Sequence, residues 1–190
     1  MARKVAIGIQ NYAELREKNV FYVDKTSLIK EWWDSLDSVT LITRPRRFGK
    51  TLNMSMLECF FSNKYAERGD LFAGLRIWEE EKFRKLQGTY PVIFLSFAGV
   101  KHVDYRNTRT TINGLIADLY NRYEWMMSDK RFTNADREKF HLVHIKMEDA
   151  IAAESLRRLC EWLHRYYGKK AIVLLDEYDT PMQEAYVNGF

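Results

Sequence analysis

The residues with the most chemistry in this chain stand side by side: Gly49-Lys50-Thr51, within "TLITRPRRFGKTLNMSML" at 40–57. Such a triplet suits the end of a phosphate-binding loop. The glycine lets backbone approach an anion with no Cβ in the way. The lysine places a mobile ammonium on the β- and γ-phosphates, and the threonine offers a hydroxyl to Mg²⁺. The general pattern G-x-x-x-x-G-K-[ST] also asks for a glycine where this chain has Arg44. Pro45 follows, fixing φ and supplying no N–H, so the loop starts with fewer amide donors. Arg46 and Arg47 either bring compensating charge to the phosphates or form a solvated basic tip; the sequence leaves both open.

Gly-Lys-[Ser/Thr] arises by chance in about one chain in ten of this length, so its context decides. An apolar, β-branched run at Val39–Thr43 precedes the loop, and a helical pattern, "LNMSMLECFFS", follows it. A strand, a loop and a helix in that order let amides converge, with the positive end of the helix behind them. The second chemical cluster is "AIVLLDEYDTP", an apolar run ending in acids. Asp176 at its end suits a Mg²⁺-bound water, and Glu177 suits polarising an attacking water. The competing reading has both acids capping the next helix.

These residues need elements to position them. "NVFYVDKTSLIKEWWDSL" reads as an extended piece at Val20–Val23, then Asp24 as N-cap of a helix carrying Leu28, Ile29, Trp32, Trp33 and Leu36. "WEEEKFRKLQG" predicts a short helix ending near Gly88, and "YPVIFLSFAG" a second buried strand. A long helix is expected from Tyr105 to Met127, then a polar loop leading into another helix. "MEDAIAAESLRRLCEWLHRYYGKK" predicts a helix stopping at Gly168. The run ending at Asp176 is the third buried strand, and "PMQEAYV" starts one more helix.

Buried strands separated by helices imply βαβ units and a mostly parallel sheet. Such sheets usually have about five strands, so three strong ones suggest a truncated piece of a longer protein or weaker strands not visible in the pattern. With 190 residues, 46% hydrophobic and 29% charged, the chain suits one globular domain over 1–190. Its net charge of +4 is weak support for nucleic acid. No apolar run is long enough to span a bilayer and no signal-peptide pattern opens the chain, so a cytoplasmic address is expected. Cys59 and Cys160 lack C-x-x-C partners and read as reduced core thiols. His141 and His144 share a helical spacing without a third ligand nearby, and the Trp32-Trp33 and Tyr166-Tyr167 pairs read as core rather than base-stacking surface. Ser96 either sits beside the γ-phosphate or is satisfied locally.

The blocks "FYVDKTSLIKEWW", "LITRPRRFGKTLNMSMLECFF", "LFAGLRIWE", "YPVIFLSFAGV" and "IVLLDEYDTPM" together resemble the bacterial and archaeal AAA-ATPase-like family, over about Gly8 to Met182. Its loop has the Arg-Pro-Arg-Arg-Phe-Gly-Lys-[Ser/Thr] form, which accounts for Arg44. The resemblance implies an α/β fold: a P-loop NTPase three-layer α/β/α sandwich with an additional strand, commonly followed by a C-terminal PD-(D/E)xK nuclease-like domain. It implies ATP and Mg²⁺ as cofactors, with Arg46, Arg47, Phe48, Gly49, Lys50, Thr51 and Leu52 around the nucleotide. Thr51 and Asp176 are then metal contacts, and Lys50 and Glu177 the catalytic pair. Tyr22, Val23 and Asp24 would line the adenine side.

Three functions are therefore weighed. The first is a Mg²⁺-dependent ATPase module that regulates an attached nuclease-like domain. The second is a nucleotide-binding switch or scaffold with little turnover. The third is a nucleic-acid-binding module with a vestigial loop. ATP, nucleic acid reached through a C-terminal domain, and further copies of the chain are the candidate partners; a membrane is not.

Overall fold

A computed structural model of the chain describes residues 5, 8–43 and 48–190. It divides into two compact units, 1–92 and 93–190. The first is helical and is organised around aromatic side chains. Its helices are α1 (Tyr12–Glu17), α2 (Ser27–Ser35), α3 (Lys50–Phe61) and α4 (Glu81–Leu86), with 3₁₀ turns at Asn63–Tyr65, Gly69–Phe72 and Arg76–Glu79.

Helix α3 is the central piece. Met56, Phe60 and Phe61 on it are fully buried. Phe60 meets the Phe72 ring edge-on at 5.1 Å between centroids, and Phe72 stacks on Tyr12 of α1 at 5.3 Å. Phe61 takes Trp32 and Trp33 of α2 at 5.2 and 5.5 Å; the tryptophan pair is half-buried at the edge of the core rather than inside it. Burying a Phe is worth about 1.5–3 kcal/mol, so these rings hold α1, α2 and the 3₁₀ turns on α3. The C-terminal end of α3 is tied by backbone. Gly88 N–H donates to Phe60 O at 2.8 Å, Tyr90 N–H to Phe61 O at 2.9 Å, and Asn63 N–H to Tyr90 O at 2.8 Å. This approach demands glycine at 88: φ is +68°, and a Cβ there would lie 2.3 Å from the Ala66 Cα.

The second unit carries a parallel pair of strands, β1 (Val92–Ser96) and β2 (Ile172–Asp176). Its helices are α5 (Tyr105–Asn121), α6 (Asn134–His141), α7 (Asp149–Tyr167) and α8 (Thr180–Asn188), with a 3₁₀ turn at Glu124–Ser128. Ile93, Leu95, Ile116, Tyr120, Phe140 and Trp162 belong to one buried cluster. Tyr120 O–H donates to Ser155 O at 2.8 Å, joining α5 to α7. Helix α6 opens with a capping box: Thr133 and Asp136 exchange bonds between side chain and backbone. The Asp136 carboxylate also accepts from Trp162 Nε1 at 3.1 Å and Arg165 at 2.8 Å. Burial pushes its pKa up, but the bonds from Thr133, Trp162 and Arg165 outweigh that and hold the carboxyl well below its usual range. Helix α7 ends on Gly168 in the left-handed conformation, as expected.

Several expectations need correction. Val39–Thr43 forms no strand, and Val39 and Leu41 are 88% and 62% exposed. β-branched sequence supplies propensity, but a strand exists only when its backbone is paired, and among the described residues nothing pairs with this run. Among the described residues two strands therefore pair where three were expected. β2 is covered on one face only: Leu174 and Asp176 are buried while Val173 and Leu175 are exposed. The long helix stops at Asn121, and the chain tightens into the 3₁₀ turn that buries Met126 and Met127. The N-cap of α2 is Thr26, not Asp24. Helix α1 was not anticipated, although Asn11 caps it by accepting from Glu14 N–H at 2.9 Å. Cys59 is buried, which pushes its thiol up to about 12, and Cys160 is also raised by burial; both are free thiols. Among the described residues no helix is long and apolar enough to cross a membrane.

Gly88→Ala should lower stability by at least about 2 kcal/mol, from the forced left-handed Ala and the overlap with Ala66. Thermal unfolding should show a fall in Tm of roughly 4–8 °C. Asp136 has a depressed pKa when folded, so its contribution is present above about pH 4 and is lost as pH falls below that value. Asp136→Asn should cost about 2 kcal/mol at pH 7. Chemical denaturation across pH should show the gap to wild type closing in acid.

Candidate functional site

Gly49 is the N-cap of α3, with φ +75°, and among the described residues no side chain caps this helix start. The first amides of a helix have no partner within the helix, and among the described residues nothing accepts from those of Lys50, Thr51 and Leu52. The first bond that closes the helix runs from Asn53 N–H to Gly49 O at 2.9 Å. The sequence pattern thus becomes a left-handed glycine, then Lys50 and Thr51 in the first turn. Both side chains are part-buried, while Phe48 just before them is 57% exposed. Arg46 and Arg47, expected near phosphate, lie outside the described residues.

Beside this helix start is a cavity of about 540 Å³, a size that accepts a small organic ligand. Asp24, Lys25, Glu31, Ile42 and Asn53 are among its lining residues. Asp24 shapes the wall. Its Oδ1 accepts from Thr26 N–H at 2.8 Å and from Thr26 Oγ1 at 2.6 Å, and its Oδ2 accepts from Arg76 N–H at 2.9 Å. Burial raises its pKa, but these donors dominate and hold the carboxyl low. Thr26, fully buried, also accepts from Ile77 N–H at 3.2 Å. The lead-in to α2 is therefore bolted to the Arg76–Glu79 turn.

Tyr22 does not line the cavity. Its ring meets Tyr12 edge-on at 5.6 Å, its O–H donates to Met56 Sδ at 3.3 Å, and it accepts from Lys25 N–H at 3.3 Å. Burial pushes its pKa up to about 12. Two residues that the sequence reading missed stand at the site instead. The Lys25 Nζ lies 3.8 Å from where a Cβ on Gly49 would be. Asn53 lines the cavity at 5% exposure. The signal for Lys25 was its place directly after Asp24 in "FYVDKTSLIKEWW"; Asn53 lies one turn into the helix after Gly49.

The acidic pair stands in the second unit. Asp176 ends β2 at 6% exposure, and Phe97 N–H donates to its backbone oxygen at 2.9 Å. Among the described residues no hydrogen bond or ion pair reaches its carboxylate. Glu177 is exposed and left-handed, φ +49°, a conformation that costs a non-glycine residue about 1 kcal/mol or more. The competing capping role fits poorly. The N-cap of α8 is Asp179 and no side chain caps it, while Thr180 Oγ1 reaches Glu177 only at 3.5 Å. Ser96 is satisfied locally, accepting from Ala98 N–H at 3.4 Å. His144 is likewise used locally, its Nδ1 accepting from Lys146 N–H at 3.2 Å.

Comparison with known proteins bears on this arrangement. Residues 6–189 match the family described as "Predicted AAA-ATPase". The chain belongs to the AAA-ATPase-like family. Membership in a predicted ATPase family supports nucleotide binding in general. This AAA-ATPase-like chain is also 29% identical over 182 residues to a protein from Azotobacter chroococcum mcd 1, named "Uncharacterized protein in vnfD 5'region". That match covers 95% of the chain and 30% of the relative, so the chain spans about a third of the relative's length. No solved structure matches it.

Removing the Asp24 carboxylate should loosen the cavity wall rather than abolish folding. Asp24→Ala deletes acceptors for Thr26 and Arg76 and should cost about 2–3 kcal/mol. Hydrogen exchange should show faster opening at the Thr26 and Arg76 amides, with α3 amides changed little.

Proposed function

We propose that this chain is a nucleotide-binding module that takes ATP with Mg²⁺ and hydrolyses it. The observation that carries this reading is Gly49-Lys50-Thr51 on an uncapped helix start beside a ligand-sized cavity, in a member of a predicted ATPase family. The residues present suit the ligand. A left-handed glycine, free amides and an ammonium accept phosphate oxygens, and the hydroxyl of Thr51 and the unpartnered carboxylate of Asp176 are hard oxygen donors of the kind Mg²⁺ takes. The finer fold we propose is the P-loop NTPase sandwich, within a single module spanning 1–190.

Each residue then has a role in attack of water on the γ-phosphorus. Glu177 orients the water and accepts its proton. The bond from the γ-phosphorus to the β,γ-bridging oxygen breaks, and ADP leaves with that electron pair. Lys50 and the amides of the first turn of α3 stabilise the charge that builds on the phosphate oxygens. Thr51 and Asp176 are the residues that would hold Mg²⁺, and the ion would supply positive charge to the phosphate. Phe48 contributes backbone to the loop, Leu52 its amide from the first turn of α3, and Arg46 and Arg47 charge. Tyr22 and Asp24 act from behind the site, through Lys25 and Thr26.

We further infer that the module serves a longer cytoplasmic protein, in which nucleotide state regulates an attached nuclease-like domain, with nucleic acid or additional copies as partners. The relative's greater length is in keeping with such an arrangement.

The test is thermal shift with Mg²⁺-ATP on wild type and Lys50→Ala, together with phosphate release. Wild type should be stabilised by about 2.7 kcal/mol at a hundredfold excess over Kd, and Lys50→Ala far less. Glu177→Gln should keep the shift and lose turnover by about 10²–10⁴-fold. Equal shifts in wild type and Lys50→Ala would reject the site. Binding without turnover in wild type would leave a nucleotide switch.

A further inference from the structure

Lys25 is placed at a helix start whose field favours an anion. Its ammonium lies against Gly49, at the positive end of α3, one residue from Lys50. Among the described residues it forms no ion pair: Asp24 has its oxygens on Thr26 and Arg76, and Glu31, which shares the cavity, does not bridge to it. A cation gains nothing from a helix N-terminus; the field there favours an anion. The backbone that carries this side chain is nevertheless fixed. The Lys25 backbone N–H is held by Tyr22, and the residues on either side of it are locked by the Asp24–Thr26–Arg76 bonds.

A second observation points to a ligand at the same place. Asn53 is 5% exposed, lines the cavity, and its side-chain amide has no hydrogen-bond partner among the described residues. Its amide opens onto the cavity, where a bound polar group can pair with it. The sequence supplies the need. Pro45 has no N–H, and Arg44 stands where the general pattern has glycine, so the loop has fewer donors of its own.

We propose that Lys25 is a second phosphate-binding cation, acting with Lys50 on the polyphosphate of the bound nucleotide while Asn53 hydrogen-bonds the ligand inside the cavity. This rests on the nucleotide-binding reading. Lys25 replaces donors missing from the start of the loop with charge delivered from the lead-in to α2. Because the contact is to phosphate, its contribution falls when phosphates are removed and when salt is raised.

The experiment is titration calorimetry of ATP, ADP and adenosine, with Mg²⁺, on wild type, Lys25→Ala, Lys25→Arg and Asn53→Ala. Lys25 is exposed, so Lys25→Ala should unfold at the wild-type temperature without ligand. It should bind ATP about tenfold more weakly or worse, with Lys25→Arg within about threefold of wild type and adenosine binding unchanged. Asn53→Ala should weaken all ligands that occupy the cavity. If wild type binds ATP and Lys25→Ala binds it equally well, the assignment of Lys25 is wrong and the nucleotide reading stands. Equal losses for ATP and adenosine in Lys25→Ala also overturn it, since the residue would then shape the cavity rather than meet phosphate. No ATP binding by wild type overturns both.

Discussion

A helix that begins on a left-handed glycine, with no side-chain cap among the described residues, keeps a set of donors and a positive field at its start. That is the condition of α3, and much of the first unit serves to hold it. The donors are useful only if the helix cannot shift. Phe60 and Phe61 at its other end are fully buried among Phe72, Trp32 and Trp33, and the backbone at Gly88 and Tyr90 closes on them. Truncating such a ring costs about 3–5 kcal/mol, larger than any single polar contact at the site. Apolar packing fixes the helix, and polar groups at the opposite end are left free to meet a ligand.

The lead-in to α2 works by a different force. Asp24, Thr26 and Arg76 form a local hydrogen-bonded knot, and the donors around Asp24 hold its carboxyl low. That knot brings Lys25 to Gly49. In the second unit the sheet does the comparable work. β2 delivers Asp176 into a buried position and leaves Glu177, in a left-handed conformation, facing solvent. Backbone strain at an exposed acid just past a strand end is what a site that must present a carboxylate would tolerate.

How much of this could be read from the residues follows from what is local. The start of α3 was legible because Gly49, Lys50 and the apolar spacing after them act within a few residues, and the end of α7 was legible because Gly168 is a left-handed stop. Helix α1 was overlooked although Asn11 and Glu14 are spaced as a cap. Val39–Thr43 misled because β-branched composition does not reveal whether a pairing partner exists. Asp24 was given the wrong job for a subtler reason. Its side chain binds both the Thr26 amide nearby and the Arg76 amide far along the chain, and only the first is visible to a local rule. Lys25 and Asn53 were missed on the same ground, since their meeting at one cavity is a product of tertiary packing.

The central claim is that the free amides at the start of α3 receive a triphosphate. Amide chemical shifts of the ¹⁵N-labelled chain, followed while Mg²⁺-ATP is added, address it directly. The account predicts that the Gly49, Lys50 and Thr51 signals move most and saturate together, with adenosine alone moving them little. Saturation elsewhere on the chain while these three signals stay fixed would contradict it.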